Sequence, residues 1–221
     1  MPPFFRSVLD IASPFRYNGE NSAWETGMKI YDITQELFSC HVYPGDIAPS
    51  FRRVSDVEKG DVCSITEFSM NAHNGTHLDA PRHFVKGGKT IEELDLQTLI
   101  GPCTVARFDG GIDMAALTPY RGTERLLAKG DCFLTLEGAK ALSEIDVKLF
   151  GLEAQSVTGS NPPMAVHVET LSKGIVLLEG VTLDGVEEGE YTLFAAPLKL
   201  GRAEGAPCRA VLIRDEGKDG R

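Results

Sequence analysis

Three histidines and one aspartate stand close together in a single stretch of this chain. His73, His77, Asp79 and His83 fall within eleven residues, although the whole sequence contains only five histidines. Imidazole nitrogens and carboxylate oxygens are the ligands that zinc and related divalent ions take in proteins. We therefore predict that this stretch binds a divalent metal and that the protein is a metal-dependent enzyme.

The backbone between His73 and His77 decides whether both rings can reach one ion. In a straight strand their Cα atoms would lie about 13 Å apart, too far for two imidazoles that each approach a metal to about 2 Å. A regular helix is disfavoured by Gly75 and by the nearby Pro81. A bend at Gly75, where no Cβ restricts the backbone, would bring the two rings together, and Asp79 would follow closely enough to add an oxygen ligand.

His83 is a candidate for proton transfer rather than for metal binding. It follows Pro81 and can turn back towards the ion without being needed as a ligand. A histidine beside a metal site takes up and releases protons near neutral pH. The cluster would then contain both an electrophile and a base.

A second pair of candidate ligands stands far downstream. His167 is followed twelve residues later by Glu179, which ends the apolar run 175–178. A carboxylate in such a place is costly to bury unless it is paired or binds a cation. Taken singly, His167 fits a surface or hydrogen-bonded histidine, and Glu179 fits a carboxylate that faces water at a strand end. These two residues alone therefore leave open whether they bind a metal or are ordinary structural residues.

The elements that must position these residues are short and of mixed type. Alternating or apolar segments predict strands near 29–33, 63–70, 103–108, 149–152, 174–179, 191–196 and 209–213. Helices are predicted at 91–96, 136–143 and 167–171, the first capped by Thr90 and the second by Thr135. Tyr43-Pro-Gly-Asp46 predicts a turn in which Asp46 serves the turn itself, and His41 before it is expected outside the ligand set.

Composition and charge exclude several classes of protein. Of the 221 residues, 42% are hydrophobic and 24% are charged, which is typical of a globular protein. The net charge of −10 argues against nucleic acid or an anionic membrane as a partner, because both are bound through lysine and arginine patches. The chain begins without a secretory signal pattern and has no apolar run near the roughly 20 residues of a membrane span, so a cytoplasmic protein is expected.

Domain organisation and cysteine usage are simple. We find neither a linker nor an internal repeat, and we expect an N-terminal extension over 1–27, one domain over 28–214 and a polar tail over 215–221. The five cysteines are odd in number and show no C-x-x-C pair, so they are expected to be small buried hydrophobic residues in a reducing compartment.

The chain resembles the cyclase-family metal hydrolases, the group that contains the bacterial kynurenine formamidases and the isatin hydrolases. The family's motif, His-x-Gly-Thr/Ala-His-x-Asp-x-Pro-x-His-Phe/Tyr, stands here as His73-Asn-Gly-Thr-His77-Leu-Asp79-Ala-Pro81-Arg-His83-Phe84. The segment that begins at His167 and reaches Leu-Leu-Glu179-Gly-Val-Thr-Leu is similar to the family's second ligand segment, including the His-to-Glu spacing. The similarity extends over residues 28–213.

The resemblance implies a metal centre, a fold and an assembly. One ion would be held by His73, His77 and Asp79, and His167 would help to hold a second, with Asp79 and Glu179 bridging the two ions or contributing to both. His83 would be the proton donor and acceptor, Zn²⁺ the expected ion and Mn²⁺ the alternative. The implied fold is mixed α/β, the family's swivelling β/β/α arrangement, in which a mixed sheet closes towards a barrel with peripheral helices. The protein would be a dimer or a tetramer.

The implied activity is hydrolysis of an amide C–N bond in a small aryl substrate. An arylformamidase would convert N-formylkynurenine to kynurenine and formate, and the same residues would serve ring opening of a cyclic amide, imide or lactone such as isatin. Tyr43 and Phe84 would contact the aryl ring, but Tyr43 stands where the formamidases usually carry tryptophan, which leaves the substrate open. A metal-stapled binding protein without catalysis is the alternative from another class, although structural zinc sites are usually rich in cysteine and no cysteine lies in this cluster.

Overall fold

The structure is a computed structural model that describes residues 27–159 and 163–215. Its α-helices are α1 (Leu96–Leu99), α2 (Met114–Leu117), α3 (Leu136–Glu144) and α4 (Pro163–Ser172). Its strands are β1 (Met28–Asp32), β2 (Ser50–Ser55), β3 (Ile65–Ser69), β4 (His77–Asp79), β5 (Ile100–Arg107), β6 (Gly110–Ile112), β7 (Arg125–Lys129), β8 (Cys132–Leu134), β9 (Leu149–Leu152), β10 (Val176–Glu179), β11 (Gly189–Phe194), β12 (Gly205–Pro207) and β13 (Val211–Asp215). The expected N-terminal extension and polar tail lie outside the described residues, apart from residues 27 and 215, and the domain boundaries stay a prediction.

Nine strands form one mixed sheet in the order β1-β13-β11-β5-β7-β9-β10-β4-β12. The central strands β5, β7, β9 and β10 are parallel, while the strands on both sides of this block pair antiparallel. Thr34, which follows the edge strand β1, forms a bridge to Val181, which follows β10, so the sheet curls back on itself. The curled sheet is a half-barrel with a few helices outside, which confirms the predicted mixed α/β fold.

Side chains on the two faces of the sheet enter two separate hydrophobic cores. Along β10, Val176 and Leu178 lie in one core and Leu177 in the other, and β9 divides Leu149 and Phe150 in the same way. A sheet with both faces buried must be covered on each side, and α2, α3 and α4 supply side chains to the second core. The central strands are therefore held from both faces.

The helices predicted at 136–143 and 167–171 form, but the helix predicted at 91–96 is wrong. Thr90 and Glu93 make a reciprocal capping box that closes a 3₁₀ turn over Ile91–Glu93, and the backbone then becomes extended. The Asp95 carboxylate accepts a hydrogen bond from Gln97 N and starts α1 at Leu96, so a 3₁₀ turn and a separate short α-helix stand in place of the predicted helix. The helix predicted at 167–171 is longer and begins at Pro163. No helix in the described part of the chain is long and apolar enough to cross a membrane.

Two of the five cysteines contradict the prediction that all are buried. Cys103, Cys132 and Cys208 are buried, but Cys63 is exposed and Cys40 is half-buried. Cys63 lies in the loop that joins β2 to β3, a two-stranded hairpin outside the large sheet. Nearly all side chains of that hairpin are exposed, so its loop offers no core in which a thiol could be buried.

Candidate metal centre and active site

A bend at Gly75 brings the first two histidines together. Gly75 has a φ of +65°, in the left-handed region that favours glycine. The ring centroids of His73 and His77 lie 5.0 Å apart as a result. His77 Nδ1 donates to the Gly75 carbonyl oxygen at 2.9 Å, which leaves its Nε2 facing the centre of the cluster. His73 Nδ1 lies 2.8 Å from Asp79 Oδ1.

Strand pairing places Glu179 beside this loop. In the antiparallel pair of β4 and β10, Glu179 stands opposite His77. Glu179 Oε2 lies 3.4 Å from His77 Nε2, and Asp79 Oδ1 lies 3.5 Å from the same nitrogen. Glu179 Oε1 accepts a hydrogen bond of 2.8 Å from Val157 N, which fixes the orientation of the carboxylate.

Helix α4 brings His167 to the opposite side of the two carboxylates. His167 Nε2 lies 3.3 Å from Glu179 Oε1 and 3.7 Å from Asp79 Oδ2. Each carboxylate therefore turns one oxygen towards His77 and the other towards His167. The two sequence segments, nearly a hundred residues apart, meet in one buried cluster, as the sequence analysis expected.

His83 lies at the edge of the cluster. It ends a 3₁₀ turn over Pro81–His83, and its ring stacks on that of His73 with centroids 4.1 Å apart. Burial, opposed in part by the Asp79 carboxylate, lowers the pKa of His83. The ring is half-buried and borders a cavity, so one face of the cluster is open to a small molecule.

The charges in the cluster are strongly coupled. Burial disfavours a charged His77, but Asp79 and Glu179 outweigh it and raise the pKa of His77 to about 10. Burial also disfavours a charged Asp79, but the hydrogen bond from His73 and the positive charge on the neighbouring His77 hold the pKa of Asp79 well below its usual value. The pKa of Glu179 is lowered in the same way, against burial and the Asp79 charge, by His167 and His77. In the absence of a metal, a proton on His77 supplies the positive charge that these carboxylates require.

The donor atoms fit a divalent ion. His77 Nε2 and Asp79 Oδ2 are buried without a hydrogen-bond partner among the described residues. Two ligands of a tetrahedral zinc ion, each bound at about 2.0–2.2 Å, lie about 3.4 Å from each other. The distances from His77 Nε2 and His167 Nε2 to the carboxylate oxygens, 3.3 to 3.7 Å, are close to that separation.

Among the residues that the structure describes, two groups of three have ligand atoms within 4.8 Å of one another: His77, Asp79 and Glu179, and His73, Asp79 and His83. The second group includes His83, for which the sequence predicts proton transfer and no ligand role. The number of ions, one or two, and the assignment of the five predicted ligands to them stay predictions.

A cavity of about 610 Å³ opens on the cluster. Its wall includes both predicted substrate-binding residues, Tyr43 and Phe84, and the Phe84 ring stacks on His167 at 4.6 Å. Met164 adds a third apolar side chain. Asp46, expected only to serve the turn, also lines the cavity, while its backbone N–H closes that turn on Tyr43 O at 3.0 Å. His41 is exposed and does not line the cavity.

Sequence reasoning missed the amide side chain that supports the histidine loop. Gln155 Nε2 donates to the carbonyl oxygens of His73 and Gly75, at 3.0 and 2.9 Å. Gln35 Nε2 donates to Gly180 O at 2.7 Å, next to Glu179. The two amides also face each other, at 3.4 Å, and connect the first ligand loop to the end of β10. An isolated glutamine in a loop carries no sequence pattern that could reveal this role.

Comparison with known proteins agrees with this geometry. Residues 10–120 match the family model described as "Putative cyclase". Kynurenine formamidase of Erythrobacter litoralis (strain HTCC2594) is 33% identical over 208 residues, covering 86% of this chain and 96% of that protein. The chain belongs to the cyclase family. A second cyclase relative, kynurenine formamidase of Bacillus cytotoxicus, is 34% identical over 199 residues and covers 82% of this chain and 95% of its own length.

Solved structures of similar proteins share the fold. A potential metal-dependent hydrolase with cyclase activity has a TM-score of 0.72 at 29% identity, covering 84% of this chain and 98% of that one. Isatin hydrolase A from Labrenzia aggregata, bound to benzyl benzoate, has a TM-score of 0.74 at 22% identity, covering 87% and 96%. At that identity the second likeness concerns the fold alone, and it places this cyclase-family chain in the same architecture.

Proposed function

We propose that this cyclase-family protein is a metal-dependent hydrolase that cleaves the C–N bond of a small aryl amide, as an arylformamidase acting on N-formylkynurenine. The observation that carries the proposal is the cluster of three imidazoles and two carboxylates, all buried except the half-buried His73, that adjoins a cavity lined also by Tyr43 and Phe84. The curated relatives at 33% and 34% identity are kynurenine formamidases, which supports the same reaction class.

The proposed ligands are His73, His77, Asp79, His167 and Glu179, and the ion is Zn²⁺. Imidazole and carboxylate ligands also suit Mn²⁺, so the donor set supports a divalent metal more firmly than a particular one. Because each carboxylate directs one oxygen to either side of the cluster, we infer space for two ions. A bound divalent ion would polarise the substrate carbonyl and lower the pKa of water towards neutrality.

The protein's own residues would orient the substrate and move the proton. His83 would accept a proton from the attacking water at a ring nitrogen and return it to the leaving nitrogen. Water adds to the formyl carbon, the C–N bond breaks, and the products are formate and an aryl amine. Phe84 and Tyr43 would flank the aryl ring. Because His83 is half-buried in the wall of the cavity, a bound substrate would limit the access of bulk water to its ring.

Ring opening of a cyclic amide such as isatin is the second candidate. No lysine or arginine lines the cavity among the described residues, so no basic side chain there would pair with the carboxylate of N-formylkynurenine. Isatin carries no carboxylate and would use the same metal, base and aromatic wall. The cavity beside His83 counts against the third reading, a non-catalytic protein stapled by metal, because structural zinc sites are closed by four protein ligands.

A substrate panel on the metal-loaded protein tests the proposal. N-formylkynurenine, isatin and an aryl lactone would be compared by product formation, with metal content measured on the same sample. We expect fastest turnover of N-formylkynurenine, loss of turnover after chelation and recovery on adding Zn²⁺. The exposed His41 provides a control, since His41→Gln should leave the rate unchanged. Stoichiometric metal without turnover of any substrate would refute the enzyme and favour the binding protein.

Assembly and location remain proposals of the same kind. We propose a homodimer or homotetramer in the cytoplasm, with a small molecule as the substrate and neither nucleic acid nor membrane as a partner. The net charge of −10 supports the last point. Light scattering at several protein concentrations would test the assembly, and a monomer at all of them would refute it.

A further inference from the structure

The two ring nitrogens of His73 face two different carboxylates. Nδ1 faces the buried Asp79, at 2.8 Å from Oδ1. Nε2, on the other side of the ring, lies 3.4 Å from Oε1 of Glu204. These last two atoms are not aligned for a hydrogen bond, and His73 Nε2 is buried without a hydrogen-bond partner among the described residues. The proposed ligand set gives Glu204 no role.

The backbone around Glu204 is built against the His73 ring. Strand β12 pairs with β4 so that Gly205 stands opposite Asp79, and Ala80 N donates to Glu204 O at 2.8 Å. A Cβ on Gly205 would lie 2.4 Å from His73 Cε1, closer than real Cβ contacts come. The His73 ring therefore occupies space that any side chain larger than hydrogen at position 205 would fill, and it lies directly beside the Glu204 carboxylate.

A neutral imidazole has one protonated nitrogen and one free nitrogen, and only the free one can bind a metal. In the metal-free protein Nδ1–H donates to Asp79. An ion bound beside Asp79 would displace that hydrogen from Nδ1, so Nε2 would carry the ring hydrogen and would need an acceptor. The Glu204 side chain is 44% exposed, so it can rotate to shorten the 3.4 Å separation and to align its carboxylate with Nε2–H. Carboxylates that accept from the outer nitrogen of a ligating histidine fix its tautomer and orientation.

We propose that Glu204 and Gly205 form a holder for His73 that selects which of its nitrogens faces the metal. Gly205 admits the ring, and Glu204 accepts the hydrogen bond from Nε2–H. Glu204 is in this sense a positioning residue that does not touch the ion or the substrate carbonyl. The inference rests on the proposed metal site and adds to it a residue that the sequence pattern did not identify.

Zinc affinity measured by competition with a chromophoric chelator tests the holder. Glu204→Ala should weaken binding by about 10- to 100-fold, the usual loss when a ligand's outer partner is removed. Glu204→Gln removes the charge but keeps an acceptor oxygen, so it should recover most of the affinity. Glu92 provides a matched control, because its carboxylate accepts from Arg202 N in the same segment but does not reach His73. Glu92→Gln should bind zinc like the unaltered protein.

The outcomes separate the holder from simpler explanations. Equal weakening by Glu204→Ala and Glu204→Gln would show that only the negative charge matters, and unchanged affinity in Glu204→Ala would show that Glu204 does nothing for the ligand. Either result overturns the inference while leaving the metal site intact. Failure of the unaltered protein to bind zinc would instead refute the proposed metal site.

The absorption spectrum of the Co²⁺-loaded protein gives a second readout, independent of turnover. Its ligand-field bands should change in Glu204→Ala and resemble those of the unaltered protein in Glu204→Gln. Gly205→Ala should displace the His73 ring and change the bands as well. Circular dichroism of the metal-free variants verifies folding, and identical Co²⁺ spectra in all folded variants would contradict the holder.

Discussion

Metal binding should depend steeply on pH, because His77 holds a proton in the metal-free protein. A free histidine has a pKa near 6.5, and the buried carboxylates of Asp79 and Glu179 raise that of His77 to about 10. The proton must leave before Nε2 can bind an ion. At pH 7.5 this competition should weaken binding by about 300-fold relative to the deprotonated protein, and each pH unit between 7 and 9 should strengthen it about tenfold.

Two measurements test this magnitude. Competition with a chelator of known pH dependence gives the zinc affinity at pH 6.5, 7.5 and 8.5. Calorimetry in two buffers with different ionisation enthalpies counts the protons released, and we expect about one from His77. His77→Gln should bind zinc more weakly, and its zinc affinity should rise less steeply with pH because the proton on His77 is gone. An affinity that stays flat between pH 6.5 and 8.5, or binding without proton release, would refute the reasoning.

The same proton predicts an opposite trend for the stability of the metal-free fold. Because the pKa of His77 is higher in the folded chain than its usual 6.5, its stabilising contribution is complete below pH 6.5 and is lost as the pH rises towards 10. The lowered pKa values of Asp79 and Glu179 act at acid pH, where their contribution is lost as the pH falls below their usual 3.8 and 4.5. Between pH 6.5 and 9 the Tm of metal-free protein should fall while the increase caused by zinc grows. A zinc-induced increase in Tm that stays constant across this pH range would contradict the assignment of the proton to His77.

Three substitutions test other parts of the site. His83→Ala should lower kcat by about 100-fold or more with metal content unchanged, and loss of the metal instead would make His83 a ligand. Leu78→Ala, fully buried between two proposed ligands, should cost about 2–5 kcal/mol in urea unfolding, whereas Leu198→Ala at a 52% exposed position should cost far less. Gly180→Ala should destabilise the fold and reduce metal content, because φ is +69° and the new Cβ would lie 2.7 Å from the carbonyl oxygen of residue 75. Gly185→Ala is its control, since φ is +73° but nothing lies within 4 Å, and equal losses in the two would refute the steric argument.

The local geometry of the first ligand loop could be predicted because covalent geometry leaves few solutions. Four residues of extended chain cannot bring His73 and His77 to one ion, and a glycine between them offers the bend. The structure places that bend at Gly75, with φ at +65°. The cap at Thr135 was predictable for a similar reason, since its hydroxyl accepts from Gly138 N within one helical turn.

The long-range arrangement could not be derived from the residues themselves. Strand β4 has only three residues, His77–Asp79, too few to show a periodic pattern. Its register against β10, which sets Glu179 opposite His77, depends on packing between segments about a hundred residues apart. The resemblance to a known family supplied that pairing. Gln155 and Glu204 stayed hidden because polar residues outside a periodic element give no sign of their partners.

The position of β4 in the sheet determines when during synthesis this protein can acquire an ion. Within the described residues its sheet neighbours are β10 and β12, and both follow it by about a hundred residues or more. A nascent chain that has left the ribosome only as far as β9 would contain the first histidine loop without the strands that hold it in place. Stable loading must therefore wait until nearly the whole chain has been translated, and a truncated chain ending before β10 would not retain a divalent ion.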